Sequence, residues 1–223
     1  MYSKILVPLD GSTLSEGILP YVRSMARAIH VPVELFRVND PAQPRAYVPT
    51  VQVGEYLEKI AASFFGTTDL KCTVELGTPA DMIVDRAAEQ PGTLIAMTTH
   101  GYSGPQRWLL GSVAEKVLHA TTNDLLLVRP AGRDTSGEAR LNTVLVPLDG
   151  SELAEKVLPM VTNLAACLQL EAVLVHVLIR FYFGSPDALL PIKPVNRCNC
   201  KSWKEIDSTA FMKVCKHVGM FSE

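Results

Sequence analysis

Thr99–Lys116, reading THGYSGPQRWLLGSVAEK, holds the residue types of an anion cradle. Gly101 and Gly104 allow backbone to approach a ligand closely. Gly111 and Ser112 lead into a helical pattern, and the unpaired amides and positive dipole end of such a helix attract negative charge. Phosphate binding is the chemistry this spacing serves. The same residues admit a reading without any ligand, because Ser112 and Glu115 stand in the S-x-x-E relation of a capping box. Asp10, at the end of the apolar run KILVPL and beside Gly11, is a second candidate: its carboxylate either meets a ligand or caps the turn that follows.

Other chemistries fail on spacing. No G-x-x-x-x-G-K-[ST] runs from Gly104 to Gly111, so the lysine and hydroxyl of a Walker loop are missing, and Gly101–Gly104 is not the G-x-S-x-G of a nucleophile elbow. His100 and Ser103 are close in sequence, which does not make them a catalytic pair; a loop hydrogen bond is the simpler role for the histidine. With no evident general base or nucleophile in the loop, any hydrolysis there should be slow.

Alternating strands and helices must position these residues. Lys4–Leu9 reads as a buried strand, and Leu14, Ile18, Leu19, Val22, Met25, Ala26 and Ile29 follow at helical spacing behind Ser12 as cap. Pro20 falls inside that pattern and reads as a tolerated kink. Val33–Val38 is a second strand, Asn39 to about Val53 a proline-rich loop, and Leu57–Phe65 part of a second helix. Leu70–Leu76 alternates as a third strand, Thr78–Pro79 opens a third helix, Thr93–Thr98 and Leu125–Val128 are strands four and five, and a helix covers about Ser112–His119. Strict alternation implies right-handed crossovers and a parallel sheet covered on both faces: a doubly wound, five-stranded, three-layer α/β/α domain. Ligands of such sheets sit beyond the carboxyl ends of the strands at the switch point, which groups Pro8–Ser12, Val38–Asp40 and Thr98–Val113.

The pattern begins twice. Ser3–Val38 aligns without a gap on Asn142–Val177, with LVPLDGS at Leu6–Ser12 and again at Leu145–Ser151. The expected organisation is a complete domain over 1–131, an exposed linker over 132–141, a partial second copy over 142–179 and a divergent tail over 180–223. At this offset of 139 the counterpart of Thr98 would stand at 237, beyond Glu223, so Asp149 and Ser151 have no partner loop and the second copy is expected to bind no nucleotide. In the tail, Cys198, Cys200, Cys215 and His217 lack zinc-ligand spacing and read as stray thiols.

Of the 223 residues, 21 are Lys or Arg and 23 Asp or Glu, a net charge of -2 that gives no global attraction to nucleic acid. The start carries no basic segment and apolar run of a leader, and Leu164–Ile179 is too short and too interrupted to span a membrane. Five cysteines without a C-x-x-C pair suit a reducing compartment, so a cytoplasmic location is expected.

In ILVPLDGS at Ile5–Ser12, GTPADMI at Gly77–Ile83 and THGYSGPQRWLLGSVAEKVLHATTNDLLLVRP at Thr99–Pro130, the chain resembles the universal stress proteins of the UspA type, in tandem form. The resemblance covers residues 1–130 and about 142–178. It implies a Rossmann-like fold akin to the adenine nucleotide alpha hydrolases and a stress-response sensor or regulator that binds ATP, with Mg²⁺ carried on the phosphates. Nucleotide-binding members share the pattern Gly, two residues, Gly, nine residues, Gly, then Ser or Thr; here Thr98 takes the first position, and Gly101, Gly111 and Ser112 the others. By this resemblance Gly101, Gly111, Ser112 and the amide of Val113 hold phosphates, Thr98 stands near the ribose, and Pro8, Leu9, Asp10 and Val38 frame the adenine end. It also implies a homodimer through the fifth strand, Leu125, Leu126, Leu127, Val128 and Arg129, an apolar edge suited to pairing. Two other readings remain open: a dimeric adaptor of the same fold without nucleotide, consistent with Thr98, and a hydrolase or nucleotidyl transferase on a similar fold, whose catalytic set is not evident.

Overall fold

The computed structural model describes residues 2–42, 50–64, 69–100, 110–129, 135–176 and 213–215. In chain order the elements are β1 (Lys4–Pro8), α1 (Leu19–Ile29), β2 (Val33–Asn39), α2 (Thr50–Ala61), β3 (Leu70–Leu76), α3 (Pro79–Ala88), β4 (Thr93–Thr98), α4 (Ser112–Ala120) and β5 (Asp124–Val128). There follow β6 (Thr143–Leu148), α5 (Glu152–Glu155), α6 (Leu158–Leu168), β7 (Glu171–His176) and β8 (Lys213–Cys215). They divide into two units, Met1–Leu141 with Ser208–Glu223, and Asn142–Asp207.

In the first unit the sheet order is β3-β2-β1-β4-β5-β8. The first five strands run parallel, as the alternation demands, and the order reverses between β1 and β4. The central strands are mostly apolar because helices cover both faces; every residue of β4 is buried. On one face Leu6, Phe36, Ile95, Met97, Leu125 and Leu127 pack against Ala80, Ile83 and Ala87 of α3 and Ala114 and Val117 of α4. Small residues on those two helices let them lie close to the sheet. The other face is covered by α1 on β1 and α2 on β2 and β3.

Charged residues interrupt this interior: Lys4 of β1 and Glu34 and Arg37 of β2 are all buried. Glu34 of β2 is 2% exposed, and its carboxylate accepts from Lys4 Nζ at 2.8 Å, Arg86 Nη2 at 2.6 Å and Thr73 Oγ1 at 2.7 Å. Burial by itself would raise its pKa; these hydrogen bonds and the Lys4 charge outweigh that and hold it at about 2.

Four sequence expectations change. Pro20 does not kink a helix: a 3₁₀ turn over Ser15–Ile18 precedes α1, which starts at Leu19, so Pro20 lies in the first turn where its missing N–H costs nothing. The helix α2 starts at Thr50, inside the stretch assigned to a loop. Residues 135–141 do not form a free linker. Arg23 Nη1 donates to the Thr135 and Gly137 carbonyls, the Ala139 amide to Pro20 O, Ser24 Oγ to Ala139 O, and Arg27 pairs with Glu138, so this stretch is strapped along α1. Finally, the outer edge of β5 is not open along its length. An antiparallel sixth strand, β8, pairs Leu125 with Cys215, Leu126 with Val214 and Leu127 with Lys213.

The second unit repeats the opening of the first. Parallel β6 and β7 flank α5 and α6, and Val161 and Leu164 of α6 are buried with Val146 of β6. The repeat holds in backbone detail: His30 and Gln169 both end a helix at positive φ, 53° and 55°, and Gly11 and Gly150 turn at 79° and 83°. Leu145 and Leu174 of the two strands are more than two-fifths exposed.

Candidate functional site

A cavity of about 560 Å³ opens where the carboxyl ends of β1 and β4 part. Pro8–Gly11 after β1, Phe36–Val38 of β2, Gln52, Val53 and Tyr56 of α2, Pro79 and Ile83 of α3, Met97–His100 after β4 and Gly111–Ala114 at the start of α4 all line it. Of the residues singled out in the sequence, Pro8, Leu9, Asp10, Val38, Thr98, Gly111, Ser112 and Val113 therefore share one cavity. Gly101 lies outside the described residues, as does the rest of 101–109.

The loop after β1 is built by Asp10. Its Oδ1 accepts from the Ser12 amide at 2.9 Å and the Ser12 hydroxyl at 2.6 Å, and Ser12 Oγ in turn accepts from the Ser15 amide at 3.1 Å. The turn-capping role foreseen for Asp10 is thus real, and it holds the residue at the cavity wall. Gly11 makes the turn possible twice over. Its φ is +79°, and a Cβ there would lie 2.8 Å from Arg37 Nη1.

The wall opposite is the start of α4. The capping box expected of Ser112 and Glu115 is not formed, because the N-cap is Gly111, with φ -63° and ψ 147°, and Ser112 is already the first helical residue. The reason is a contact with the end of β4. The Gly111 amide donates to Thr99 O at 2.8 Å, and a Cβ on residue 111 would meet that same carbonyl at 3.1 Å, so Gly111 is held there in an extended conformation and the helix begins after it. A glycine cap brings no side-chain acceptor to the first amides, and among the described residues no side chain caps α4. Ser112, Val113 and Ala114 present this helix end to the cavity.

Thr98, only 5% exposed, gives its hydroxyl proton to His100 O at 2.7 Å, leaving oxygen lone pairs as its remaining polar capacity. His100 Nδ1 lies 3.0 Å from Thr99 Oγ1, and its Nε2 is buried with no hydrogen-bond partner among the described residues. Tyr56 donates to Glu16 Oε1 at 3.0 Å; burial first, then the Glu16 charge, raise its pKa well beyond the ordinary phenol range, so it stays protonated.

Arg37 and Tyr56 were not found from sequence. For Arg37 a signal existed: it is a basic residue within the largely buried strand VELFRVN, next to the site residue Val38. Tyr56 had none, since it sits on a helix whose start sequence reasoning placed too late.

Among the described residues no group of three or more His, Cys, Asp or Glu side chains could hold a metal ion, and no helix is long and apolar enough to cross a membrane.

Comparison with known proteins agrees with this architecture. Residues 1–129 match the model of the universal stress protein family. A universal stress protein of Methanocaldococcus jannaschii is 29% identical over 142 residues, 58% of this chain and 83% of that protein. One from Bacillus subtilis is 27% identical over 150 residues, 58% of this chain and all of that protein. Among solved structures, a universal stress protein from Archaeoglobus fulgidus superposes with a TM-score of 0.63 at 22% identity, covering 79% of this chain and 67% of its own, a likeness of fold. With the family model spanning the whole parallel sheet and the cavity above it, the chain belongs to the universal stress protein family.

Proposed function

We propose that the first unit is an ATP-binding sensor or regulator of the stress response, acting in the cytoplasm and hydrolysing ATP slowly if at all. The observation that carries this reading is the start of α4. Its cap is a glycine, no side chain closes it among the described residues, and it faces a cavity at the switch point of the sheet. The amides of Ser112 and Val113 receive the phosphates there, and Gly111 keeps the approach clear of a side chain. Thr98 offers its oxygen lone pairs to the ribose, and Pro8, Leu9, Asp10 and Val38 border the base. Mg²⁺ is carried on phosphate oxygens and adds charge neutralisation; no protein carboxylate is assigned to it.

The residues around the cavity bind and orient. Among the described residues the Ser12 and Ser15 hydroxyls are engaged in the turn, and Tyr56 is held protonated by its burial and by Glu16. A second reading, an adaptor without nucleotide, is favoured by one observation: Thr98 fills the place of a family glycine and turns its hydroxyl to its own chain. Homodimerisation through Leu125–Arg129 belongs to either reading only if β8 leaves the β5 edge.

Calorimetric titration of Mg-ATP into the full chain separates the two. Binding is expected in the wild type and loss of at least tenfold in affinity in Gly111→Val, whose side chain would collide with Thr99 O. The absence of heat in the wild type would sink the ATP reading. Unchanged affinity in the variant would remove α4 from the site.

A further inference from the structure

We propose that Arg37 is a specificity-determining residue that reads the base of the bound nucleotide by donating a hydrogen bond to a purine ring nitrogen; this rests on the ATP reading above. Arg37 is 7% exposed yet lines the cavity, and its Nε is buried without a hydrogen-bond partner among the described residues. A buried guanidinium donor left without an acceptor costs free energy unless something else supplies one. The cavity is where that acceptor can enter.

Position decides which part of the ligand it is. Gly111 is bonded to Thr99, directly beyond β4, so the phosphate end lies over β4. Arg37 belongs to β2, and the strand order places β1 between β2 and β4. At about 4.8 Å per strand, Arg37 is separated from the phosphate wall by roughly 10 Å. That is the length of a nucleoside, and it puts the base rather than the phosphates beside Arg37.

The walls around it fit a flat ring. Phe36, Val38, Ile83 and Met97 are apolar. Burial lowers the Arg37 pKa, and the charge of Asp10 works in the opposite direction, favouring the guanidinium. A ring nitrogen gives Arg37 an acceptor without adding a charge to this pair. An additional anionic group is not needed there, because the Asp10 carboxylate already balances the guanidinium.

The test uses atomic changes in the ligand. ATP, 1-deaza-ATP, 7-deaza-ATP and 2′-deoxy-ATP, each with Mg²⁺, are titrated into the full-length wild type, Arg37→Met and Arg37→Lys, with folding of each variant checked by circular dichroism. The wild type is expected to bind one of the two deaza analogues about tenfold more weakly than ATP, the scale of a hydrogen bond to a charged donor. Arg37→Met is expected to bind ATP and that analogue alike, and Arg37→Lys to recover part of the difference. A merely structural Arg37 would lower all affinities together and keep their ratio. Equal binding of both deaza analogues and ATP by the wild type overturns the inference even if no variant folds, and leaves the ATP reading standing. A penalty confined to 2′-deoxy-ATP overturns it in favour of ribose. Failure of the wild type to bind any of the four overturns the ATP reading and the inference together.

Discussion

Glu34 illustrates what single residues contribute to this molecule. Its carboxylate is buried in a strand and is tolerable only because Lys4, Thr73 and Arg86 bring donors from three other elements. Its folded-state pKa of about 2 lies below the ordinary 4.5. A depressed carboxylate pKa stabilises the fold fully above pH 4.5, and that contribution disappears as pH falls from there towards 2. The shift corresponds to about 3 kcal/mol. Urea denaturation across pH 2 to 6 should show this acid-side slope, and Glu34→Gln should flatten it while lowering stability at neutral pH by a similar amount, because buried Lys4 loses its counter-charge and half-buried Arg86 loses one of its acidic partners. None of this was legible in sequence. Glu34 alternates with nothing, and its partners lie 30 to 52 positions away. Arg37 left a sign, a basic residue within the largely buried strand VELFRVN, but the neighbours that explain it are brought to it only by folding. Asp10, Thr98, Gly111 and Ser112 were legible because each sits at a strand tip or helix start, where residue type and backbone geometry are locally coupled.

At the scale of elements, period and punctuation located the five parallel strands and most of the helices, and failed where proline has two meanings. In α1 and α6, Pro20 and Pro159 both fall in the first helical turn, after a short helical segment that continues the same apolar spacing. Periodicity sees one long helix in that arrangement, whereas before α1 the hydrogen bonding changes from 3₁₀ to α at Leu19, and before α6 the short α5 ends at Glu155. A first-turn proline replaces an amide that needs no intrahelical partner. Pro20→Ala is therefore expected to change stability by less than about 1 kcal/mol, measured by thermal melting, where an interior proline would have strained the helix by about 3 kcal/mol and its removal would raise the melting temperature clearly. The capping box misled for a related reason. Ser112 and Glu115 matched it, but a close approach of Gly111 to the end of β4 shifted the helix start by one position. That approach is a tertiary fact.

Across the whole molecule the two copies are unequal. Both carry the Asp-Gly-Ser turn, and Asp149 Oδ1 accepts from the Ser151 amide as Asp10 accepts from Ser12. Only the first copy has a fourth strand and a following helix start to face that turn, for the second unit's described sheet consists of β6 and β7 alone. Calorimetry should accordingly give one ATP per chain; a stoichiometry of two would show that the second copy completes a site of its own. The tandem start was readable as a repeat. The strapping of residues 135–141 onto α1 was not, since it depends on Arg23 and Ser24, whose helix face offered no sequence sign of a partner.

The bond from the Gly111 amide to Thr99 O ties the start of α4 to the residue that follows β4. Closing a loop becomes only about 0.6 kcal/mol harder each time its length doubles. Chain entropy is therefore a minor part of what this tie must overcome, and the larger constraint is room: a side chain at position 111 would press on the very carbonyl that accepts the bond.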